Sequence, residues 1–296
     1  MRFTVTVLSR LAAGLCLGLS LASASLAQSP ADALSRSVAQ IEERLDGRIG
    51  LSLVDTGRGR SWTYRTDERF AMNSTVKTAI CGAVLARRDA GDLSLSDTLP
   101  VKPQDILSYA PVTERKVGAR MSLAELCLAA LDQSDNTATN MLIDHLGGPQ
   151  AVTNFLRSTG DRVSRLDRRE PELNDVPPGD PHDTTTPAAM SETLRNLLLD
   201  GALTPESRRQ LADWMSLGGV TGNLLRPHAP EGWRIADKSG SGSQTRNIIA
   251  MITPEGEAPW IATIFISDVD ADFDTRNAAL QEVGGVVMSF IGDRQQ

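Results

Sequence analysis

Apolar patterning changes twice along this chain, and the double change limits the fold more than any single residue does. Residues 31–45, ADALSRSVAQIEERL, carry the apolar period of an amphipathic helix. RIGLSLVDTGRGRSWTYR then alternates like two strands around a Thr-Gly-Arg-Gly turn. From about residue 72 to 216 the period is helical, over 74–90, 121–132, 137–146, 149–158, 187–200 and 205–216. After residue 230 strand patterns return in RIADKSGSG, RNIIAMITPEG and PWIATIFISD, and residues 274–291 read as a closing helix. The expected fold class is therefore α+β in two lobes. An antiparallel sheet flanked by helices, built from both chain ends, packs against an all-helical lobe. A cleft between lobes is the natural place for a site.

The expected boundaries follow. Residues 1–27 are a leader, 28–71 and 217–296 form one discontinuous α/β lobe, and 72–216 form the helical lobe. Within the latter, REPELNDVPPGDPHDTTTP is long, acidic, proline-rich and aperiodic, so the 168–183 loop is expected to be functional. The leader reads as a secretory signal: Arg2 and Arg10, an apolar run, then small residues, with cleavage fitting after Ala27 or Ala24. A periplasmic or secreted location follows, with no membrane attachment once the leader is cut.

Charge excludes one class of partner. The chain carries a formal net charge of −7, and losing Arg2 and Arg10 with the leader makes it −9. With no basic tract, nucleic acid is not an expected partner. Cys16 leaves with the leader, and Cys81 and Cys127 remain. In an exported protein that even pair has two open readings, a disulfide or two buried thiols. A bridge would contribute about 4 kcal/mol in the chain-entropy account.

Chemistry enters with three short segments. FAMNSTVKTA sets Ser74 and Lys77 one helical turn apart, so an amine can take or relay the serine proton, near a helix N-terminus that favours an anionic intermediate. Alone, S-x-x-K is a weak signal. QSDNTATN adds Ser134-Asp135-Asn136, and IADKSGSG adds Lys238-Ser239-Gly240 on an expected strand. The three in this order are specific, and form the motif set of class A β-lactamases and penicillin-binding proteins.

With RREPELN (168–174), GDPHDTTTP and TRNIIA also present, the whole mature length resembles the class A serine β-lactamase family. The resemblance implies roles. Ser74 is the nucleophile on the lactam carbonyl, and its N–H with that of Ser241 forms the oxyanion hole. Ser134 passes a proton to the leaving nitrogen. Asn136 binds the substrate's side-chain amide. Lys238 and Ser239, followed by Gly240, hold its carboxylate, with Arg246 assisting. Glu170 activates the deacylating water, which Asn174 helps to hold. The acylation base, Lys77 or Glu170, stays open. Arg168 and Asp183 pin the loop neck, Tyr109 lines the cleft mouth, and Pro171 invites a cis bond before it. The expected substrates are small-molecule β-lactams, without a cofactor, on a monomer. His145, His182 and His228 lack ligand spacing, so no metal is expected and a zinc β-lactamase is not the reading.

Departures accompany the resemblance. GSGSQTRN is one residue shorter than in relatives, which leaves the placement of Arg246 open. Arg169, Asn73 and Val76 are variations, and no cysteine lies beside Ser74 or near Gly242. The alternatives are a penicillin-binding D,D-peptidase and an exported receptor that is acylated without turnover. Glu170 within EPELN argues against both.

Overall fold

The structure is a computed structural model that describes residues 1–4 and 30–294. The leader expected over residues 1–27, with Cys16, lies outside the described residues beyond Thr4. Helix α1 (Pro30–Leu45) leads into strands β1 (Arg48–Asp55) and β2 (Arg60–Tyr64). A short strand β3 (Phe70–Ala71) and a 3-10 turn (Asn73–Val76) precede α2 (Lys77–Asp89). Two three-residue strands follow, β4 (Thr98–Pro100) and β5 (Arg120–Ser122), then α3 (Leu123–Asp132), α4 (Asn136–Leu146) and α5 (Pro149–Ser158). Strand β6 (Thr184–Thr185) leads to α6 (Pro187–Leu198) and α7 (Pro205–Met215). The chain finishes with β7 (Arg234–Ser241), β8 (Arg246–Thr253), β9 (Trp260–Ser267) and α8 (Phe273–Asp293).

Both chain ends meet in one antiparallel sheet of order β2-β1-β9-β8-β7. Its central strands are apolar on both faces because both faces are covered. Ile248, Ala250, Ile252, Trp260, Ala262, Ile264 and Ile266 pack with α1 and α8 residues such as Val38, Ile41, Val283 and Val287. Their alternates Ile249, Ile261 and Phe265 belong to the second core, which runs on into the helical lobe through Ile80, Leu126, Leu142 and Leu194. Among the described residues no helix is long and apolar enough to cross a membrane.

Helix starts follow local chemistry. Ser122 and Glu125 form a capping box on α3, Thr186 caps α6, Thr204 caps α7 and Asp272 caps α8. Gly147 ends α4 at φ 105°, a left-handed conformation that suits glycine.

Two expectations are corrected. The helical period begins at residue 74, yet the α-helix begins at Lys77, and Ser74 sits in the preceding 3-10 turn. Residues i and i+3 eclipse in such a turn, so the shared face survives the change. The disulfide reading of Cys81 and Cys127 also fails: both are free, buried thiols. Each serves as a small apolar side chain where α2 packs on α3, with Cys81 Sγ 3.8 Å from the Cys127 carbonyl oxygen. Burial and the neighbouring thiol push Cys127 well above the usual thiol pKa, so the protonated form is the stable one.

Candidate active site

Strand β7 is the edge of the sheet, and it lies along the 3-10 turn that carries Ser74. Gly240 makes that approach feasible. A Cβ there would come within 3.0 Å of the Met72 carbonyl oxygen, Asn73 Cβ and the Ser74 amide nitrogen. A side chain at residue 240 would crowd the contact by which the edge strand brings Lys238, Ser239 and Ser241 to the Ser74 turn.

Asp135 organises the opposite wall. It caps α4 through the Ala138 N–H, and its carboxylate also accepts from the N–H groups of Val112 and Thr113 and from the Thr113 hydroxyl. The Asn136 N–H donates to the Tyr109 carbonyl at 3.0 Å, which docks the segment bearing the half-exposed Tyr109 ring. Ser134 takes a left-handed φ of 57° just before this cap.

Two lysines share that hydroxyl. Lys77 Nζ and Lys238 Nζ donate to Ser134 Oγ at 3.2 and 3.1 Å. Lys77 also donates to Ser134 O at 2.8 Å and to Asn136 Oδ1 at 2.7 Å. Both lysines are fully buried. Burial lowers the Lys77 pKa, against the pull of Glu170. Lys238 is driven well below the usual lysine range, first by burial and then by the positive charges of Lys77 and Arg246. Lys77 donates to Ser134 and Asn136, and the Ser74 hydroxyl is not among its hydrogen-bond partners among the described residues.

Glu170 closes the site from the long loop. Its Oε1 lies 3.0 Å from Lys77 Nζ as a buried ion pair. Oε2 accepts from Asn174 Nδ2 at 2.6 Å. The Glu170–Pro171 bond is cis. Asn140 holds the Glu170 backbone at both ends, accepting from its N–H at 2.9 Å and donating to its carbonyl at 2.8 Å. The loop neck is clamped by Asp183, which accepts from Arg168 Nε and from the backbone N–H groups of Asp167 and Arg168.

Arg246 pairs in register with Ser241, so the shortened turn still delivers it to the end of β7. Its guanidinium donates to Asn277 on α8 and to the Gly240 carbonyl. Burial and nearby Arg276 lower its pKa to about 10. Arg169 pairs with Asp144 on the surface, outside this cluster.

Thus Ser74, Lys77, Ser134, Asn136, Glu170, Asn174, Lys238, Ser239, Gly240, Ser241 and Arg246 lie on segments brought together here, and Tyr109 is half-exposed on the segment docked to Asn136. Four supporting residues escaped the sequence reading. Asn140 stands four residues after Asn136 on one face of α4, a spacing that could have revealed it. Asp237, buried beside Lys238 and held by Arg226 and Thr221, offered no such cue. Asn277 and Asn247 come from distant segments.

Two buried lysines around one serine hydroxyl, with a carboxylate on a clamped loop beside them, are the arrangement expected of a class A serine β-lactamase. The comparisons agree. The beta-lactamase enzyme family matches residues 33–291. A beta-lactamase of Rhodobacter capsulatus is 64% identical over 291 residues, covering 98% of this chain and 99% of that protein. The solved structure of an ancestral class A beta-lactamase (GNCA) superposes with TM-score 0.84 at 50% identity, over 86% of this chain and 99% of that one. A beta lactamase from Xanthomonas campestris pv. campestris gives 0.87 at 44%, over 89% and 99%. This chain belongs to the beta-lactamase enzyme family, and its activity is hydrolysis of the β-lactam ring, the reaction behind β-lactam resistance.

Proposed function

We propose the following division of labour for penicillin- and cephalosporin-type substrates. Ser74 Oγ attacks the lactam carbonyl. The Ser74 and Ser241 N–H groups receive the oxyanion, donors of a kind worth about 3–4 kcal/mol each. Ser134 hands a proton to the departing nitrogen, and its position between two ammonium groups makes that hydroxyl a better acid. Asn136 Oδ1 is occupied by Lys77, which leaves its Nδ2 to bind the substrate's side-chain amide. Lys238, Ser239 and Arg246 bind the carboxylate.

Glu170 then activates water against the acyl-enzyme. The observation that carries this role is its buried carboxylate, held at Oε2 by Asn174 and lying at Oε1 3.0 Å from Lys77 Nζ. Lys77 donates its hydrogen bonds to Ser134 and Asn136, so it can serve as a base only after passing a proton on. Glu170 Oε1 at 3.0 Å is the group in reach. Acylation through Glu170 and water needs no such transfer, and both routes are built into this cluster. The enzyme is proposed to act as an exported monomer freed of its leader.

Purified mature protein and its Glu170→Ala variant, mixed with a chromogenic cephalosporin and with a penicillin, test this reading. The expected result is steady turnover by the parent and a stable adduct on Ser74 in the variant, seen by intact mass. A variant that still turns over at the parental rate removes Glu170 from deacylation.

A further inference from the structure

Asn73, immediately before the nucleophile, is fully buried and holds a left-handed φ of 47°. Asparagine tolerates that conformation better than most residues. Its side chain touches three separate segments. Asn73 Nδ2 donates to Asn174 Oδ1 at 3.2 Å. Asn73 Oδ1 accepts from Thr245 Oγ1 at 2.7 Å and from Asn247 Nδ2 at 2.9 Å. Asn174 Nδ2 in turn donates to Glu170 Oε2.

These amides form a head-to-tail chain, Asn247 to Asn73 to Asn174 to Glu170, and its polarity is set at both ends. At the outer end Asn247 donates to the Ala71 carbonyl and accepts from the Ile266 N–H, groups that cannot exchange roles. Its Nδ2 must therefore face Asn73 Oδ1, and Asn73 must turn its Nδ2 toward Asn174. At the inner end the Glu170 carboxylate and the Pro171 carbonyl accept only, and both receive Asn174 Nδ2. Space is equally constrained. A Cβ on Gly242 would lie 2.9 Å from Asn73 Nδ2 and from Thr245 Oγ1, and 3.0 Å from the Asn174 carbonyl oxygen.

From this we infer that Asn73 is a positioning residue for deacylation, fixing through its N–H donor the orientation in which Asn174 meets Glu170. The chain ties the β7–β8 turn to the base, so residues 245 and 247 tune the second half of the reaction. The inference rests on the roles proposed above for Ser74, Glu170 and Asn174.

The test separates acylation from deacylation by stopped-flow and intact mass on the full mature enzyme. Asn73→Asp keeps the size and the acceptors for Thr245 and Asn247 but loses the donor to Asn174. Deacylation is expected to slow roughly 10- to 100-fold, with acylation within about threefold and the adduct on Ser74 accumulating. In Asn73→Asp/Asn174→Ala, deacylation should be no slower than in Asn174→Ala alone, since both break one chain. Thr245→Val removes only an outer link and should slow deacylation about two- to fivefold. It decides the matter if the Asn73 variant does not fold. Equal losses in both steps, additive losses in the double variant, or unchanged deacylation would each overturn the inference. A parent that is acylated without turnover would instead sink the proposed roles.

Discussion

The two faces of the five-stranded sheet use the same kinds of strand residue and finish in opposite states. The face toward α1 and α8 is a core of aliphatic and aromatic side chains, including a stacked Trp62–Trp260 pair with Phe290 edge-on. The face toward the helical lobe begins the same way, then ends in Lys77, Lys238, Glu170, Asp135 and Asp183, all buried. Asn73, Ser134 and Asp183, each at left-handed φ without being glycine, lie on that side as well. The outer layer keeps its left-handed non-glycine residues, Asp46, Arg65 and Asp268, at the ends of its elements, and its core between the sheet and α1 and α8 is apolar. The inner margin holds charge and backbone strain where a reaction needs them.

Substitutions should divide along that line. The largest effect is expected for Ser74→Ala, with turnover lost by about 10⁴-fold or more while the unfolding midpoint holds. A large fall in the midpoint would mean that Ser74 is structural. Ile264→Ala, in the outer layer, should do the reverse. It should cost about 2–5 kcal/mol in urea unfolding, with kcat of the folded enzyme unchanged. A changed kcat would break the separation between the faces.

Lys238→Met sharpens the comparison because it should weaken substrate binding while strengthening the fold. Losing the carboxylate partner should raise KM by about 10- to 100-fold. Removing a buried charge that faces Lys77 should raise the midpoint. A fall in the midpoint would show that the ammonium stabilises the fold.

A smaller effect concerns pH. The folded pKa of Lys238 lies well below its ordinary value of 10.5. Between the two values the unfolded chain binds more protons, so stability attributable to this group rises with pH through that window. Urea melts across it should show a shallower slope for Lys238→Met than for the parent. Identical slopes would place the titration elsewhere. The smallest expected effect is in the loop neck. Asp183→Asn should cost about 1–2 kcal/mol and slow deacylation more than acylation, because Arg168 loses the nearer of its two carboxylate partners. Equal slowing of both steps would detach the neck from Glu170.

Much of this was legible in the chain. The helices and the three closing strands could be read because each buries a continuous stripe or face, and burial at a fixed period leaves a pattern. The short pairs β3–β6 and β4–β5 left none, since two or three residues cannot establish a period. The start of α2 was misplaced for a related reason: a 3-10 turn and an α-turn share the i, i+3 spacing.

The cysteines mark another limit. Spacing and compartment left two readings, and only the packing of α2 on α3 shows two thiols.

Sequence by itself determined which groups are proposed for the site. Ser74, Lys77, Ser134, Asn136, Glu170 and Lys238 each sit in a motif whose residue types are dictated by nucleophile, proton-transfer and anion chemistry. Tertiary structure alone decided how those groups are poised. Lys77 and Lys238 meet on one hydroxyl although 161 positions separate them. Asn140, Asn247 and Asn277 act through partners that no local pattern connects to them. The physical reason is range. Propensity and periodicity act over a few residues, whereas a pKa or an amide orientation is set by whatever folding brings within about 4–6 Å.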